Sequence, residues 1–220
     1  MGKRALHYFS RTAVGQGRDP ERSNPYSAML LLVLVISAPA AADSFDYCIV
    51  CHGAEGNGNV AIRAPKIAGL EPWYVARQLE AFAAGIRGAH EQDQSGQEMR
   101  VIGIRLEQQR KIEDAVRFVS SLHPVRPPST VTGNVDRGRE LFAACAACHG
   151  AKGEGNKQLG APALAARSDW YLLAQLDKFR RGERGSDERD VYGAQMRAAA
   201  AALPDEQAAA DVVAYINTLE

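Results

Sequence analysis

The chain contains the pentapeptides Cys48–His52 (CIVCH) and Cys145–His149 (CAACH), which lie 97 positions apart. In each of them, two cysteines separated by two residues are followed directly by a histidine. Two thiols at this spacing can form thioether bonds with the vinyl groups of a haem, and the adjacent histidine can ligate its iron. Both pentapeptides therefore predict covalently attached haem c, with two groups per chain.

A cysteine pair of this spacing also occurs in zinc sites, in thioredoxin-like dithiols and as a structural disulfide. None of these requires a histidine directly after both pairs, and neither pair has a second histidine at zinc-finger spacing. A zinc site fed by both pairs would have to bring together cysteines 97 positions apart. We therefore expect haem attachment. The attaching cysteines are Cys48, Cys51, Cys145 and Cys148, and the iron ligands are His52 and His149.

A methionine follows each motif histidine by 47 residues, at Met99 and Met196, and these are the only methionines after residue 29. Their thioethers are the predicted second axial ligands. Core packing is the alternative role for a methionine, and His90 is the rival ligand in the first half. The residue that matches His90 in the second half is Asp187. A residue that serves as a ligand in both halves should occur in both, as the methionines do.

The two halves superpose without a gap when the sequence is shifted by 97 positions, which indicates a tandem duplication. The 47-residue interval is thus inherited twice from one unit. The matched pairs include Ala64-Pro65 with Ala161-Pro162, Trp73-Tyr74 with Trp170-Tyr171, Gln78-Leu79 with Gln175-Leu176, Arg87-Gly88 with Arg184-Gly185, and Met99-Arg100 with Met196-Arg197.

The duplication divides the chain into domains. Residues 123–134 (HPVRPPSTVTGN) carry three prolines and are expected to be a linker. The predicted organisation is a signal peptide over 1–42, an N-terminal domain over 43–122, this linker, and a C-terminal domain over 135–220. Domains of about 80 residues have a marginal core of their own, so a buried haem would supply the missing apolar core.

The first 42 residues resemble a secretory signal. The apolar run Ala28–Ile36 (AMLLLVLVI) follows basic residues and precedes SAPAAAD, which fits cleavage after Ala42 or Ala40. The run is too short to span a bilayer. Cleavage after Ala42 would leave 21 basic and 24 acidic residues. This modest charge argues against nucleic acid as a partner.

The segments between motifs have helical periodicity and no strand-like alternation, which predicts an all-α protein of two small helical units, each wrapped around one haem. The alanine run Ala198–Ala202 is expected to be a spacer. The expected helices are Trp73–Ala84, about Glu107–Leu122, Asp136–Ala147, Trp170–Arg181 and Pro204–Leu219.

These residues resemble the two-domain, dihaem class I cytochromes c of the cytochrome c-four type, over essentially all of the chain after residue 42. The resemblance implies two tandem class I cytochrome c domains whose haem propionates face each other. It also implies that the carbonyls of Pro65 and Pro162 accept hydrogen bonds from the haem-ligating histidines. One departure concerns the opening helix of the first domain, because Ala41, at the predicted cleavage site, aligns with Gly138. Either this helix is truncated or cleavage falls further upstream.

Several further residues are candidates for the haem environment, through hydrogen bonds to propionates or neutralisation of their charge. The alternative is that the aromatic residues form core and the arginines a solvated face. These candidates are Trp73, Tyr74, Arg87, Trp170, Tyr171 and Arg184.

The resemblance implies a periplasmic carrier that passes single electrons from a quinol-oxidising complex or a dehydrogenase to a terminal oxidase. A histidine–methionine pair fills the iron's coordination and leaves no position for oxygen or peroxide, so we expect electron transfer rather than enzymatic catalysis. Any contact with the outer side of the cytoplasmic membrane is expected through these redox partners. The alternatives are a fixed cytochrome subunit of a dehydrogenase or oxidase complex and a dihaem peroxidase.

Overall fold

The structure is a computed structural model that describes residues 45–219 of the 220-residue chain. The predicted signal peptide and its cleavage site lie outside the described residues. Residues 45–219 contain eight α-helices, short 3-10 turns and no β-strand, which confirms the all-α fold class. No helix in this range is long and apolar enough to cross a membrane.

Four helices belong to each half of the described chain. In the first half they are α1 (Asp46–His52), α2 (Pro72–Ala83), α3 (Gln94–Gln108) and α4 (Ile112–Ser121). In the second half they are α5 (Val135–His149), α6 (Asp169–Arg181), α7 (Val191–Ala201) and α8 (Glu206–Ile216).

The helices of each half pack around their own apolar cluster. In the first half α2 packs on α3 and α4, and the cluster extends from Phe45 through Leu79 and Leu106 to Val119. In the second half α8 packs on α5 and α6, and the cluster is built on Phe142, Val212, Ile216 and Leu219. The boundaries of the two predicted domains remain a prediction.

Helices α3 and α7, which carry the two methionines, have no counterpart among the predicted helices. Each begins with an aspartate, Asp93 or Asp190, whose carboxylate accepts a hydrogen bond from the backbone N–H three residues on. That N–H belongs to Gly96 or Gly193, where a Cβ atom would lie 2.0 Å from the capping carboxylate. Glycine is thus the residue that this cap requires.

The predicted final helix of the first half began too early. Residues up to Gln108 continue α3, the chain turns at Arg110 with φ 55, and α4 starts only at Ile112. In the second half the run Ala198–Ala202, expected to be a spacer, extends α7 to Ala201. Alanine has the highest intrinsic helix propensity, which accounts for this difference.

Residues 123–134 are not helical, and hydrogen bonds hold them against both halves. The Asn57 side chain accepts from the backbone N–H of Val125 at 2.9 Å. On the other side, Asp169 is 1% exposed and accepts from the backbone N–H and the hydroxyl of Thr130, the N–H of Val131, and the Asn217 amide. The segment is therefore held in place by hydrogen bonds to Asn57 in the first half and to Asp169 in the second.

We predict that Asp169→Asn destabilises the protein by about 2 kcal/mol, because an amide N–H₂ would face backbone donors that now bind a carboxylate. Burial raises the pKa of Asp169, but the hydrogen bonds that it accepts outweigh burial and hold the pKa below its usual value. This stabilisation is full above the ordinary carboxyl pKa of about 4 and is lost as pH falls through the lowered value.

Urea unfolding of the holoprotein at pH 7 and at pH 3, followed by circular dichroism, measures both effects. The exposed Glu140→Gln on α5 is the matched control. The difference in unfolding midpoint between wild type and Asp169→Asn should be smaller at pH 3 than at pH 7. Equal unfolding midpoints for Asp169→Asn and Glu140→Gln at pH 7 would contradict the role of Asp169.

Candidate functional site

The two Cys-x-x-Cys-His segments occupy the ends of α1 and α5. Each helix stops at its histidine, since the next residue, Gly53 or Gly150, takes a φ near 80° (79° and 80°) that favours glycine. The histidines His52 and His149 are buried, at 7% and 5% exposure. None of the four cysteines forms a disulfide, and in each segment the second is exposed and the first half-buried.

Both histidine rings are held in the same orientation. His52 Nδ1 lies 2.6 Å from the Pro65 carbonyl oxygen, and His149 Nδ1 lies 2.7 Å from that of Pro162. Because a carbonyl can only accept, Nδ1 carries the proton and Nε2 keeps a free lone pair. This is the tautomer that a metal ligand needs.

The histidines are also held in the required charge state. Burial lowers the pKa of both His52 and His149 by more than the bond to the proline carbonyl raises it. Both imidazoles are therefore neutral at neutral pH. A neutral imidazole is the form that coordinates a metal, so the residues present fit an iron ligand in each half.

The loop after each histidine folds in the same way, and its key residue was missed from sequence. Asn59 and Asn156 each pair through a backbone bridge with the alanine five residues on, and their side chains cap the next 3-10 turn. This turn returns the chain to the proline that meets the histidine. The signal was available, because asparagine recurs at this position of the repeat.

The cysteine environments do not match the alternative sites. Burial, with a smaller contribution from Cys51, raises the pKa of Cys48 to about 11, and burial also raises the pKa of Cys145. Reactive dithiols of the thioredoxin type have lowered thiol pKa values instead. Among residues 45–219, no group of three or more His, Cys, Asp or Glu side chains is placed to hold a metal ion.

The two methionines occupy equivalent places. Met99 and Met196 are the sixth residues of α3 and α7, and both are half-buried. The rival His90 has a local role, because its Nδ1 accepts from the N–H two residues on, as the Asp187 carboxylate does in the second half. The pair His90 and Asp187 thus builds the same turn twice.

Between α2 and α6, arginines from both halves form a cross-connected cluster, which we call the arginine pair. Arg87 donates to Gln78 (2.6 Å), Gln175 (3.1 Å) and the Tyr171 hydroxyl (2.7 Å). Arg184 donates to Gln175 (2.7 Å), Gln78 (2.9 Å) and the Tyr74 hydroxyl (3.4 Å). Each guanidinium also stacks on a phenylalanine of its own half, Phe82 or Phe179, at 4.5 and 4.6 Å.

The arginine pair is not the solvated face that was the alternative expectation. Arg87 is 9% exposed, and the Nε atoms of Arg87 and Arg184 are buried without a hydrogen-bond partner among the described residues. Burial would raise the pKa of Tyr74, yet the guanidinium groups of Arg184 and Arg87 hold it below its usual value. Two buried N–H donors in a positive environment suit anionic groups such as haem propionates.

The structure brings together four of the predicted haem-environment residues, namely Tyr74, Arg87, Tyr171 and Arg184. The other two, Trp73 and Trp170, are half-buried and pack edge-on against the neighbouring tyrosine, with ring centroids 5.8 and 5.9 Å apart. The bridging glutamines Gln78 and Gln175 were matched in the repeat but were not assigned a role.

Comparison with known proteins identifies the family. The family model for cytochrome c matches residues 135–220. The chain is 30% identical to a thiosulfate dehydrogenase electron acceptor of Stutzerimonas stutzeri over 79% of its length and 87% of the relative. It is also 30% identical to cytochrome c4 of Thiocapsa roseopersicina, over 78% of this chain and 86% of the relative.

Among solved structures, a thiosulfate dehydrogenase (TsdBA) of Marichromatium purpuratum superposes with a TM-score of 0.63 at 31% identity. The match covers 79% of this chain but only 36% of that longer one. Since 30% identity extends over most of both chains in the curated relatives, the protein belongs to the cytochrome c4 family and is an electron-transfer cytochrome with two covalently bound haem c groups.

Proposed function

We propose that the protein is an exported, periplasmic carrier that shuttles single electrons from a dehydrogenase or a quinol-oxidising complex to a terminal oxidase. The observation that carries this proposal is the repeated buried histidine, neutral and fixed by a proline carbonyl, beside two cysteines that form no disulfide. When bound, the haem supplies the one-electron chemistry. The protein holds it, orients its ligand and excludes water.

In this proposal each half holds one haem with equivalent residues. Cys48 and Cys51 would attach the first haem, and His52, through Nε2, and Met99 would ligate its iron. Cys145, Cys148, His149 and Met196 would hold the second haem in the same way. A thioether is a weak donor and favours the reduced iron, so a histidine–methionine pair raises the potential relative to two histidines.

The arginine pair is proposed to receive the haem propionates. Burying a carboxylate is costly unless it meets charged hydrogen-bond donors, and the Nε atoms of Arg87 and Arg184 are buried donors without a partner among residues 45–219. The tyrosine hydroxyls of Tyr74 and Tyr171 lie in the same cluster. Propionates from both haems would then meet at the junction of the two halves.

A dehydrogenase is the favoured electron donor. One similar protein is named as the electron acceptor of thiosulfate dehydrogenase, and the similar solved structure is a thiosulfate dehydrogenase. We infer a donor that oxidises an inorganic sulfur compound. Because this chain matches only 36% of that structure's chain, a fixed subunit of a larger assembly is the second candidate. A peroxidase is disfavoured, since it needs an iron with an open position, whereas the proposed histidine–methionine ligation would leave none in either half.

We predict that the purified holoprotein binds two haems per chain and that its oxidised spectrum has the weak long-wavelength band of iron–methionine coordination. Met196→Ala should remove part of this band, lower one of two reduction potentials and open one iron to added imidazole. The neighbouring exposed Gln195→Ala on α7 is the control. Unchanged potentials in Met196→Ala would exclude this methionine as a ligand.

We predict that Arg87→Gln makes one reduction potential more pH-dependent near neutrality. Loss of a charge-assisted hydrogen bond, worth about 1.5–3 kcal/mol, would raise the pKa of a propionate by about one unit or more. Redox titrations between pH 5 and pH 9 measure this change. Arg117→Gln, at an exposed arginine of α4, is the control, and an identical pH profile for both variants would reject the propionate assignment.

We predict that the oxidised holoprotein is reduced by a thiosulfate dehydrogenase with thiosulfate faster than by a quinol-oxidising complex with quinol, in stopped-flow measurements at matched concentrations. The reverse order would reject the favoured donor. Pull-down from the native periplasm distinguishes a free carrier from a fixed subunit of a larger assembly. A stoichiometric partner that survives a high-salt wash would contradict the free carrier, because weak electrostatic docking is screened by salt.

A further inference from the structure

One peptide group connects the second-half histidine with a carboxylate of the first half. Its carbonyl, that of Pro162, accepts from His149 Nδ1 at 2.7 Å. Its N–H, that of Ala163, donates to Glu71 Oε1 at 2.7 Å. A continuous chain of hydrogen bonds thus runs from the imidazole of the second half, through this peptide group, to the carboxylate of the first half.

Hydrogen bonds at the two ends of an amide reinforce each other, because the group is polarised as a unit. A carboxylate on the Ala163 N–H makes the Pro162 oxygen more negative and strengthens its bond to His149. A ligand histidine with a stronger acceptor on its outer nitrogen is a better donor to the metal. A better donor, like a nearby negative charge, stabilises oxidised iron and lowers the reduction potential.

Arg167 fixes the carboxylate in this position. Its Nη2 lies 3.2 Å from Glu71 Oε2, and it donates as well to the carbonyl oxygens of Gly69 (2.7 Å) and Ala163 (3.2 Å). The side chains of Arg167 and Glu71 are 11% and 24% exposed, so solvent screens the pair only in part. The guanidinium offsets some of the charge of Glu71 but leaves its contact with the peptide N–H intact.

The repeat provides an internal comparison at the other histidine. A shift of 97 positions matches Ala163 with Lys66 and Glu71 with Ser168. The Lys66 N–H donates to the Ser168 hydroxyl at 3.4 Å, so the same cross-connection exists with a longer bond to a neutral acceptor. Lys66 also contributes a cation beside this peptide, with its ammonium bonded to the Ala166 carbonyl at 3.0 Å. The two halves therefore share the geometry and differ in charge.

We propose that Glu71 is a positioning residue that lowers the reduction potential of the haem at His149 relative to the haem at His52, by acting across the junction through the Pro162–Ala163 peptide. This inference rests on the proposed haem ligation. Such a difference in potential would give electron transfer within the chain a direction, from the haem held by the second half to the haem held by the first half.

The test is a spectroelectrochemical titration of the holoprotein and its Glu71→Gln variant. Glutamine keeps an oxygen for the Ala163 N–H and removes the charge. We expect the lower potential to rise and the equilibrium constant for electron transfer between the haems to fall at least threefold, which corresponds to about 30 mV at 59 mV per tenfold change. The Met196→Ala variant identifies the wave of the second haem.

Two further variants separate charge from general loosening of the junction. Ser168→Ala removes the neutral acceptor at the matched position and should leave the lower potential unchanged. Arg167→Gln removes the counter-charge from Glu71 and should shift the lower potential downwards, opposite to Glu71→Gln. Shifts of the same sign in the Glu71 and Arg167 variants would overturn the proposal. If one of the two fails to fold, the direction of the shift in the other, measured beside Ser168→Ala, decides the case.

Haem content distinguishes failure of the role proposed for Glu71 from failure of the proposed function. Two haems per chain with potentials that Glu71→Gln leaves unchanged would overturn the role of Glu71 and leave the dihaem assignment standing. A shift confined to the wave of the first haem would overturn it equally. A wild-type chain that binds fewer than two haems would instead contradict the proposed function itself.

Discussion

The bond between each buried histidine and the proline carbonyl 13 residues later is the interaction on which the rest of the site depends. It sets the tautomer, since a carbonyl accepts only from a protonated Nδ1. It also fixes the path of the intervening loop, which must bring the carbonyl back to a ring that ends a helix. The asparagine bridges, the positive-φ glycines and the 3-10 turns of both halves all serve this return.

The junction of the halves combines symmetric and asymmetric contacts. The arginine pair is symmetric, because each guanidinium binds the glutamine of its own half and the glutamine and tyrosine of the other half. Other contacts have no counterpart. Lys178 of α6 forms an ion pair with Asp93, the cap of the methionine-bearing helix α3, and also donates to Ser95 at 2.7 Å. The residue matched with Lys178 is Ala81, so duplication has left one scaffold with two different electrostatic environments.

The sequence predicted those parts of the structure that depend on local chemistry. The attachment motifs, the all-α class and helices α2, α5 and α6 follow from spacing and periodicity within single segments. Helix α3 was not predicted, and two of its residues, Gly96 and Gly103, have low helix propensity. Both glycines are explained only by contacts: Gly96 admits the Asp93 carboxylate, and a Cβ atom on Gly103 would lie 2.8 Å from Ala83 N of α2. The early start assigned to α4 has a similar origin, since the break at Arg110 has no proline or glycine to mark it.

The sequence alone determines that the protein has two repeated units, each with a cysteine pair, a histidine and a methionine at fixed spacing. These features are covalent or periodic, so the order of residues is sufficient to define them. The tertiary structure decides how the units differ. Only folding places Glu71 of one half on the Ala163 N–H of the other and leaves Ser168 at the matching place. Tertiary packing determines which residues about 90 to 100 positions apart form hydrogen bonds. Through these contacts, two copies of one repeated sequence come to lie in different electrostatic environments.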